Sequence, residues 1–228
     1  MMLILAIDTA LGAVAACIYD AEQDQVLASE RVILARGHAE ALVPLLERLA
    51  AQFPVGFDAI ERVAVTTGPG SFTGIRVGVA AARAIGVARD IEVVGVTTFS
   101  AFAAPLLGRD GADVACVVDA RHGNVFIETY DHMGAVVHQA SVMPVRMAAM
   151  RLADTPTILT GPGAPLVAIE AWSLGRKAEV GGETISAPID FVARLGAIAD
   201  FQESPANPFY LKGADVTPNV SNLTQARL

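Results

Sequence analysis

The chain has 228 residues, 53% of them apolar, and a formal net charge of −8. This length supports one large or two small domains with a substantial hydrophobic core. Phosphate backbones are normally held by Lys and Arg, so a chain this acidic is not expected to bind nucleic acid by itself. The mean hydropathy of +0.48 is high. It indicates either a core rich in alanine and valine or an apolar surface that a partner covers.

Neither export nor a membrane span is expected from the sequence. Residues 1–7 are apolar but lack a basic leader and reach Asp8 too early for a secretory signal. The longest uncharged stretch, residues 93–108, is shorter than the roughly 20 apolar residues of a spanning helix. Cys17 and Cys116 lie in apolar runs, the usual setting of buried free thiols. We therefore expect a soluble, cytoplasmic protein with reduced cysteines.

The first hundred residues have the pattern of an α/β unit. Apolar runs at 3–7, 13–19 and 25–34, separated by turns, predict three consecutive antiparallel strands. Leucines at helical spacing then predict an amphipathic helix over residues 38–53. The other predicted elements of this half are strands at 62–67 and 93–96 and helices at 72–88 and 99–107.

The second half repeats the beginning of the first. The segments LILAIDTALGAVAACIYD and VACVVDARHGNVFIETYD each contain an apolar strand, a strand-terminal aspartate, a glycine turn and a returning strand. Such a repeat is typical of a duplicated domain, and it places Asp8 and Asp119 at matching positions. The elements predicted here are strands at 114–119, 124–130 and 157–159, a GPGAP loop at 161–165, and helices at 166–172 and 186–201.

These patterns predict three regions. A first domain covers residues 1–100, a second covers 101–206, and a tail covers 207–228. The last helix of the second domain is long enough to pack back on the first domain, and the sequence leaves this possibility open. Tyr210 and Leu211 are the only large apolar anchors of the tail, so its last ten or so residues are expected to be loosely held.

The turn before the helix at 72–88 has an unusual glycine content. Gly68, Gly70 and Gly74 allow tight turning and close backbone approach, and Ser71 or Thr73 can cap the helix. A helix N-terminus beside glycines can also hold an anion, but GPGSFTGIR lacks the Gly-Lys-Ser/Thr of a P-loop. We therefore interpret this segment primarily as a capped strand-to-helix turn.

Several motifs together resemble the TsaB (YeaZ) family of actin-like, glycoprotease-type proteins. The most specific is TTGPGSFTGIRVGVAAARAIG at 66–86, supported by ILAIDTA at 4–10 and GHAEALVPLL at 37–46. DARHGNVF from Asp119 and PFYLKGADVTP from Pro208 also match the family pattern. The resemblance implies an α/β fold of two ribonuclease-H-like domains, with mixed five-stranded-type sheets flanked by helices.

The resemblance also implies a function. Members of this family are non-catalytic accessory subunits of the complex that transfers a threonylcarbamoyl group to tRNA adenosine next to the anticodon. They bind and activate the catalytic paralogue TsaD, while the TsaE ATPase acts through the complex. The chain is then expected to meet tRNA only indirectly, to need no cofactor and no membrane, and to be capable of forming a homodimer alone.

Two predicted helices are the candidate partner surfaces. Small residues recur every four positions in the helix at 72–88, and such a ridge lets another helix approach closely. The approaching helix belongs either to a partner or to the chain's own fold, and the pattern is compatible with both. The resemblance implies the partner reading for this helix and for the one at 38–53. The interface candidates are His38, Leu42, Leu45, Leu46, Leu49, Gly74, Gly78, Ala82 and Gly86.

A second group of residues matches the nucleotide cleft of the superfamily in degraded form. Bulky residues follow both strand-terminal aspartates, where kinases and Hsp70 relatives have phosphate-binding glycines. The candidates are Asp8, Thr9, Gly68, Gly70, Ser71, Thr73, Arg76, Asp119 and Arg121. The four histidines lack the paired spacing of metal ligands, so no metal site is expected. The alternatives are a metal-dependent glycoprotease-like peptidase and an autonomous ATP-binding kinase or ATPase of the actin fold.

Overall fold

Two five-stranded mixed sheets form the scaffold of the computed structural model, which describes residues 2–53, 56–182 and 185–211. Helices flank both sheets, so the predicted α/β fold class is confirmed. The predicted tail from residue 212 onward lies outside the described residues.

The first sheet has the strand order β3-β2-β1-β4-β5. β1, β2 and β3 pair antiparallel, as predicted, and β4 and β5 join parallel to β1. β1 and β2 are buried along their whole length, which explains their nearly uninterrupted apolar sequences. The strands are β1 (Leu3–Asp8), β2 (Ala13–Asp20), β3 (Gln25–Ile33), β4 (Arg62–Gly68) and β5 (Glu92–Thr97).

The second sheet repeats this topology with the order β8-β7-β6-β9-β10. β6 pairs antiparallel with β7 and parallel with β9, as β1 does with β2 and β4. The internal repeat in the sequence therefore corresponds to a repeated sheet. The domain boundaries at residues 100 and 206 stay predictions. The strands are β6 (Asp113–Asp119), β7 (Asn124–Tyr130), β8 (Val136–Pro144), β9 (Thr157–Thr160) and β10 (Ala178–Val180).

The helices are arranged in three groups. Those of the first group, α1 (His38–Ala51) and α2 (Phe72–Arg89), cover one face of the first sheet. Those of the second, α4 (Val145–Arg151) and α5 (Ala164–Ser173), cover one face of the second. Between the sheets lie α3 (Thr98–Ala103) and α6 (Ile189–Ile198). Although α6 is the last of the described helices, it packs on β1, β2 and β4 of the first sheet.

Local chemistry explains where the predicted elements differ from the observed ones. The helix predicted over 99–107 ends at Ala103 and continues as a 3-10 turn around Pro105. The helix predicted over 186–201 is shorter at both ends, because Pro188 and Ala199 have extended backbone angles. β8, α4 and β10 were not predicted, since they are short or lack clear periodicity.

Candidate functional site

The turn between β4 and α2 has the capped geometry that the sequence predicted. Gly68 has φ of +108°, a left-handed value that favours glycine. The Ser71 side chain accepts a hydrogen bond from the Gly74 amide at 3.2 Å, so Ser71, and not Thr73, is the N-cap. The Ser71 amide in turn donates to the Ala10 carbonyl at 2.7 Å. The start of α2 is thereby fixed against the loop that follows β1.

The glycines of α2 make room for that same loop. A Cβ atom on Gly74 would lie 2.2 Å from the Thr9 carbonyl oxygen, and one on Gly78 would lie 2.4 Å from the Thr9 Oγ1. The Thr9 hydroxyl donates to the Gly74 carbonyl at 2.7 Å. Gly86 similarly faces Val93 of β5. The small-residue ridge therefore packs against the chain's own first domain.

The leucines of α1 are core residues as well. Leu42, Leu45, Leu46 and Leu49 are buried against the first sheet and α2, and Leu45 is 0% exposed. These leucines and the glycine ridge, including the buried Ala82, contact the chain's own fold, and their assignment to a partner surface stays a prediction. Their spacing reflects packing on the sheet, which requires the same periodicity as a helix–helix interface.

Asp8 ends β1 in a fully buried position. Its Oδ1 accepts hydrogen bonds from the Ala10 amide at 3.0 Å and from the Thr66 hydroxyl at 2.6 Å. Its Oδ2 is buried without a hydrogen-bond partner among the described residues. Burial raises the pKa of the Asp8 carboxyl above its usual value, although the two hydrogen bonds oppose this. The carboxylate thus acts within the fold and does not line the cleft.

Asp119 ends β6 in an exposed position. Its Oδ1 accepts a hydrogen bond from the Arg121 amide at 2.8 Å. Arg121 and His122 both have left-handed backbone angles, with φ of +62° and +52°, and Gly123 completes the turn. This turn directs the backbone of the second domain toward the first.

The two turns meet across a cleft between the domains. Two adjoining cavities, of about 330 and 500 Å³, share Gly70 and Ser71 from the first domain and Asp119 and Arg121 from the second. Thr73 lines the smaller cavity. Of the predicted cleft residues, Asp8, Thr9, Gly68 and Arg76 line neither cavity.

His38 lines the larger cavity from the start of α1. Its Nε2 lies 2.8 Å from the Leu11 carbonyl oxygen, so it ties α1 to the β1–β2 loop. In the described part of the chain, no three His, Cys, Asp or Glu side chains are grouped as ligands of one metal ion would be. Likewise, none of the described helices is long and apolar enough to cross a membrane.

The segment after α6 closes one side of the smaller cavity. The Phe209 amide donates to the Thr67 carbonyl at 2.8 Å, at the end of β4. The Arg76 Nε donates to the Tyr210 hydroxyl at 2.9 Å, and its guanidinium lies 3.8 Å from the centre of the Phe72 ring. Arg76 therefore anchors this segment on α2. The apolar anchor Tyr210 was the only sequence signal for the contact.

Two solved structures share this fold over most of their length. YeaZ from Pseudomonas aeruginosa superimposes with a TM-score of 0.72 at 22% identity, covering 92% of this chain and all of that one. The ethanolamine utilization protein EutJ from Carboxydothermus hydrogenoformans has a TM-score of 0.50 at 11% identity, covering 86% and 90% of the two chains. These likenesses show the fold class, an α/β protein with two five-stranded mixed sheets flanked by helices.

Sequence comparisons define the family more narrowly. The family model described as TsaD, tRNA N6-adenosine threonylcarbamoyltransferase, matches residues 27–169. The chain belongs to this family, and the TsaB (YeaZ) assignment within it is supported by relatives that carry the TsaB name.

The individual relatives match over part of their length. An uncharacterized protein of Mycobacterium tuberculosis is 40% identical over 128 residues, which are 56% of this chain and 58% of that protein. The tRNA threonylcarbamoyladenosine biosynthesis protein TsaB of Escherichia coli is 29% identical over 57% of this chain and 55% of its own length. A tRNA N6-adenosine threonylcarbamoyltransferase of Pelobacter propionicus is 34% identical over 55% of this chain and 42% of its own length. The matches thus span about half the length of these curated relatives.

Proposed function

We propose that this chain is a non-catalytic accessory subunit in the formation of threonylcarbamoyladenosine on tRNA, and that it binds and activates a catalytic paralogue of the TsaD type. Family membership and the TsaB-named relatives support the pathway. In this proposal the TsaE ATPase and the tRNA reach the chain only through the assembled complex. The net charge of −8 supports leaving the tRNA backbone to another subunit.

The burial of Asp8 carries the non-catalytic part of the proposal. In kinase and Hsp70 relatives, a strand-terminal aspartate is followed by glycines that let the backbone surround phosphates. Here the Asp8 carboxylate is enclosed and bonded to Thr66 and the Ala10 amide. The carbonyl groups of Thr9 and Ala10 fill the space beside the α2 glycines. A group that is enclosed by its own fold has no route to a phosphate or a metal–nucleotide complex.

The outer faces of α1 and α2 are the partner surface that we propose in place of their buried faces. Val43 on α1 is 57% exposed and Val87 on α2 is 86% exposed. One exposed apolar side chain on a helix is ordinary by itself, and the proposal rests on the two occurring on helices that contact each other. Around them, α2 carries three arginines and no acidic residue, whereas α1 carries Glu40 and Glu47. Charges of both signs would fix the register of a bound helix pair.

The proposal is tested by threonylcarbamoyl transfer to tRNA in a reconstituted system. The complete mixture is compared with one lacking only this protein and with one containing this protein as the only candidate transferase. We expect no product without the chain and none from the chain alone. Product from the chain alone would instead support a catalytic role, which the name of the family model and the Pelobacter relative favour. Unchanged product without the chain would refute both roles.

Two matched variants locate the partner surface. Val87→Arg should abolish complex formation and product, because it places a charge in the proposed interface, in the last turn of α2. Ile198→Arg, on α6 and 82% exposed, should change neither. Both variants should unfold at the wild-type temperature, since both positions are on the surface. Normal pairing by Val87→Arg would exclude the outer face of α2.

A further inference from the structure

Residues 207–211, which we call the strap, lie along the flank of α2. The Asn207 side chain accepts a hydrogen bond from Arg83, and the Tyr210 hydroxyl accepts one from Arg76 at 2.9 Å. Three steps of extended chain cover about 10 Å, and so do seven residues of a helix. The strap therefore runs antiparallel to α2, with one side-chain contact near each of its ends.

The strap is held by few contacts with the rest of the fold. It belongs to no helix or strand, and its residues are exposed or half-buried. The Phe209 amide donates to the Thr67 carbonyl at the end of β4. The residues before the strap are fixed more firmly, since Ala206 is buried and the Gly95 amide donates to the Ser204 carbonyl at 2.8 Å. A segment of this kind opens locally at a lower cost than a helix or a central strand.

The two arginines that hold the strap lack an acidic partner. In the described part of the chain, neither Arg76 nor Arg83 forms an ion pair, whereas Arg89 of the same helix is paired with Asp58. The Arg76 guanidinium instead lies 3.8 Å from the centre of the Phe72 ring. A carboxylate binds a guanidinium more strongly than a hydroxyl or an amide does, because its hydrogen bonds are charge-assisted and often bidentate. An acidic side chain can therefore replace the strap on either arginine.

We propose that the strap is a latch that the partner opens, and that the partner uses two carboxylates about 10 Å apart to do so. The inference rests on the proposed function, since Arg76 and Arg83 are exposed on the helix whose outer face we assign to a TsaD-type paralogue. Acidic residues seven positions apart on one helix of the paralogue have this spacing. In the complex they replace Tyr210 and Asn207 on the two arginines, and the strap leaves the flank of α2.

Opening the latch changes the cleft between the domains. Phe209, Tyr210 and Leu211 line the cavity of about 330 Å³ together with Asp119 and Arg121 of the second domain. Release of the strap removes these three side chains from the cavity wall. Binding on α2 is thereby coupled to the accessibility of the cleft, because the partner binds the open state of the strap more tightly than the closed one.

Hydrogen exchange of the full chain, alone and saturated with a TsaD-type paralogue, tests the opening. We expect peptides that cover the strap to exchange at least about fivefold faster in the complex, because the Phe209 amide loses its acceptor. Peptides of α2 should exchange more slowly, since the partner covers the helix. Slower or unchanged exchange of the strap in a complex that protects α2 would overturn the latch and leave the proposed function intact. An absence of any change would refute the pairing itself and with it both proposals.

The sign of a variant's effect separates a latch from an interface residue. Tyr210→Phe combined with Asn207→Ala removes the two contacts with the arginines, so the strap should exchange faster in the chain alone. The double variant should bind the paralogue about three- to tenfold more tightly, because less of the chain is in the closed state. Gln202→Ala, exposed just before the strap, should bind as the wild type does. Unchanged or weaker binding by the double variant would overturn the proposal.

Substitution of the arginines tests the acidic character of the partner. Arg76→Gln and Arg83→Gln should each weaken binding at least about tenfold, because each leaves a carboxylate of the paralogue without its cation. Arg89→Gln is the matched control on the same helix, and it should weaken binding less than about twofold, since Arg89 already has an acidic partner. Thermal unfolding confirms that all variants are folded. Equal effects of the three substitutions would overturn the assignment of the carboxylates to Arg76 and Arg83.

Discussion

The two halves of the chain share a strand order and a Thr-Gly-Pro-Gly turn, at 67–70 and 160–163, yet their strand-terminal aspartates lie in opposite environments. Asp8 and Asp119 each accept a hydrogen bond from the amide two residues ahead. Asp8 is nevertheless fully buried, whereas Asp119 is exposed and lines the cleft. Equivalent sequence positions have therefore acquired different physical roles.

The length of the neighbouring strand explains the difference. β4 continues past the end of β1, so Thr66 lies beside Asp8 and donates a hydrogen bond to it. β9 ends opposite Cys116, three residues before Asp119. Asp119 therefore extends beyond its neighbour and reaches solvent. In this chain, the aspartate that lines the cleft is the one whose parallel neighbour stops short of it.

The largest predicted effect is the loss of folding when the buried face of α1 is disrupted. Leu45→Arg should abolish cooperative folding, with a loss above about 4 kcal/mol, because it buries an unpaired charge in the core. Val43→Arg, two residues away on the exposed face of the same helix, should change stability by less than about 0.5 kcal/mol. Urea unfolding followed by circular dichroism measures both. A folded Leu45→Arg variant would mean that α1 is not held by this face.

The helices α1 and α2 also show which features of the fold could be predicted from the sequence. Apolar runs bounded by turns and helical spacing predicted nearly all of the first sheet, α1 and α2, since burial within the fold requires those patterns. The same periods could not tell whether the leucines of α1 face the chain's own sheet or a partner, because both surfaces are apolar. The spacing of the α2 glycines was equally ambiguous until the Thr9 contacts were known.

The sequence predicted which residues belong to the candidate site but not what each of them does there. Ser71 or Thr73 was expected to cap α2, and the residue that caps it is Ser71. Asp8 and Asp119 were expected at equivalent positions, but their burial depends on the register of β4 and β9, which the sequence does not encode locally. The anchoring of the 207–211 segment by Arg76 depends on contacts between residues more than a hundred positions apart. No periodic pattern in the sequence predicts such a long-range contact.

An intermediate effect is the pH dependence of stability that the buried Asp8 produces. Burial raises the folded-state pKa of Asp8 above the unfolded value of about 3.9. Below the unfolded pKa both states are protonated and burial carries no charge penalty. Stability is then lost as the pH rises toward the folded pKa, because the folded state holds the proton more tightly. Relative to Asp8→Asn, the wild type should lose up to about 1.4 kcal/mol per pH unit in that interval.

Asp119→Asn is the matched variant for this measurement. Asp119→Asn makes the same carboxyl-to-amide change at the exposed end of β6, so it serves as the reference substitution outside the core. Urea unfolding from about pH 3.5 to pH 7 compares the three proteins, and shared titrations cancel in the differences. Parallel profiles for wild type and Asp8→Asn would show that Asp8 ionises in the folded protein without a burial penalty.

The smallest predicted effect concerns the helix caps that follow the two repeated turns. α2 begins with the Ser71 cap, whereas α5 begins after Gly163 without a side-chain cap. Ser71→Ala should cost about 1 kcal/mol, because the Gly74 amide loses its acceptor. Thr73→Ala, exposed in the same first turn, should cost a few tenths of a kcal/mol, since Thr73 is not the cap. Equal losses from the two variants would show that the hydroxyl cap contributes nothing and that α2, like α5, is held at its start by the turn and by packing alone.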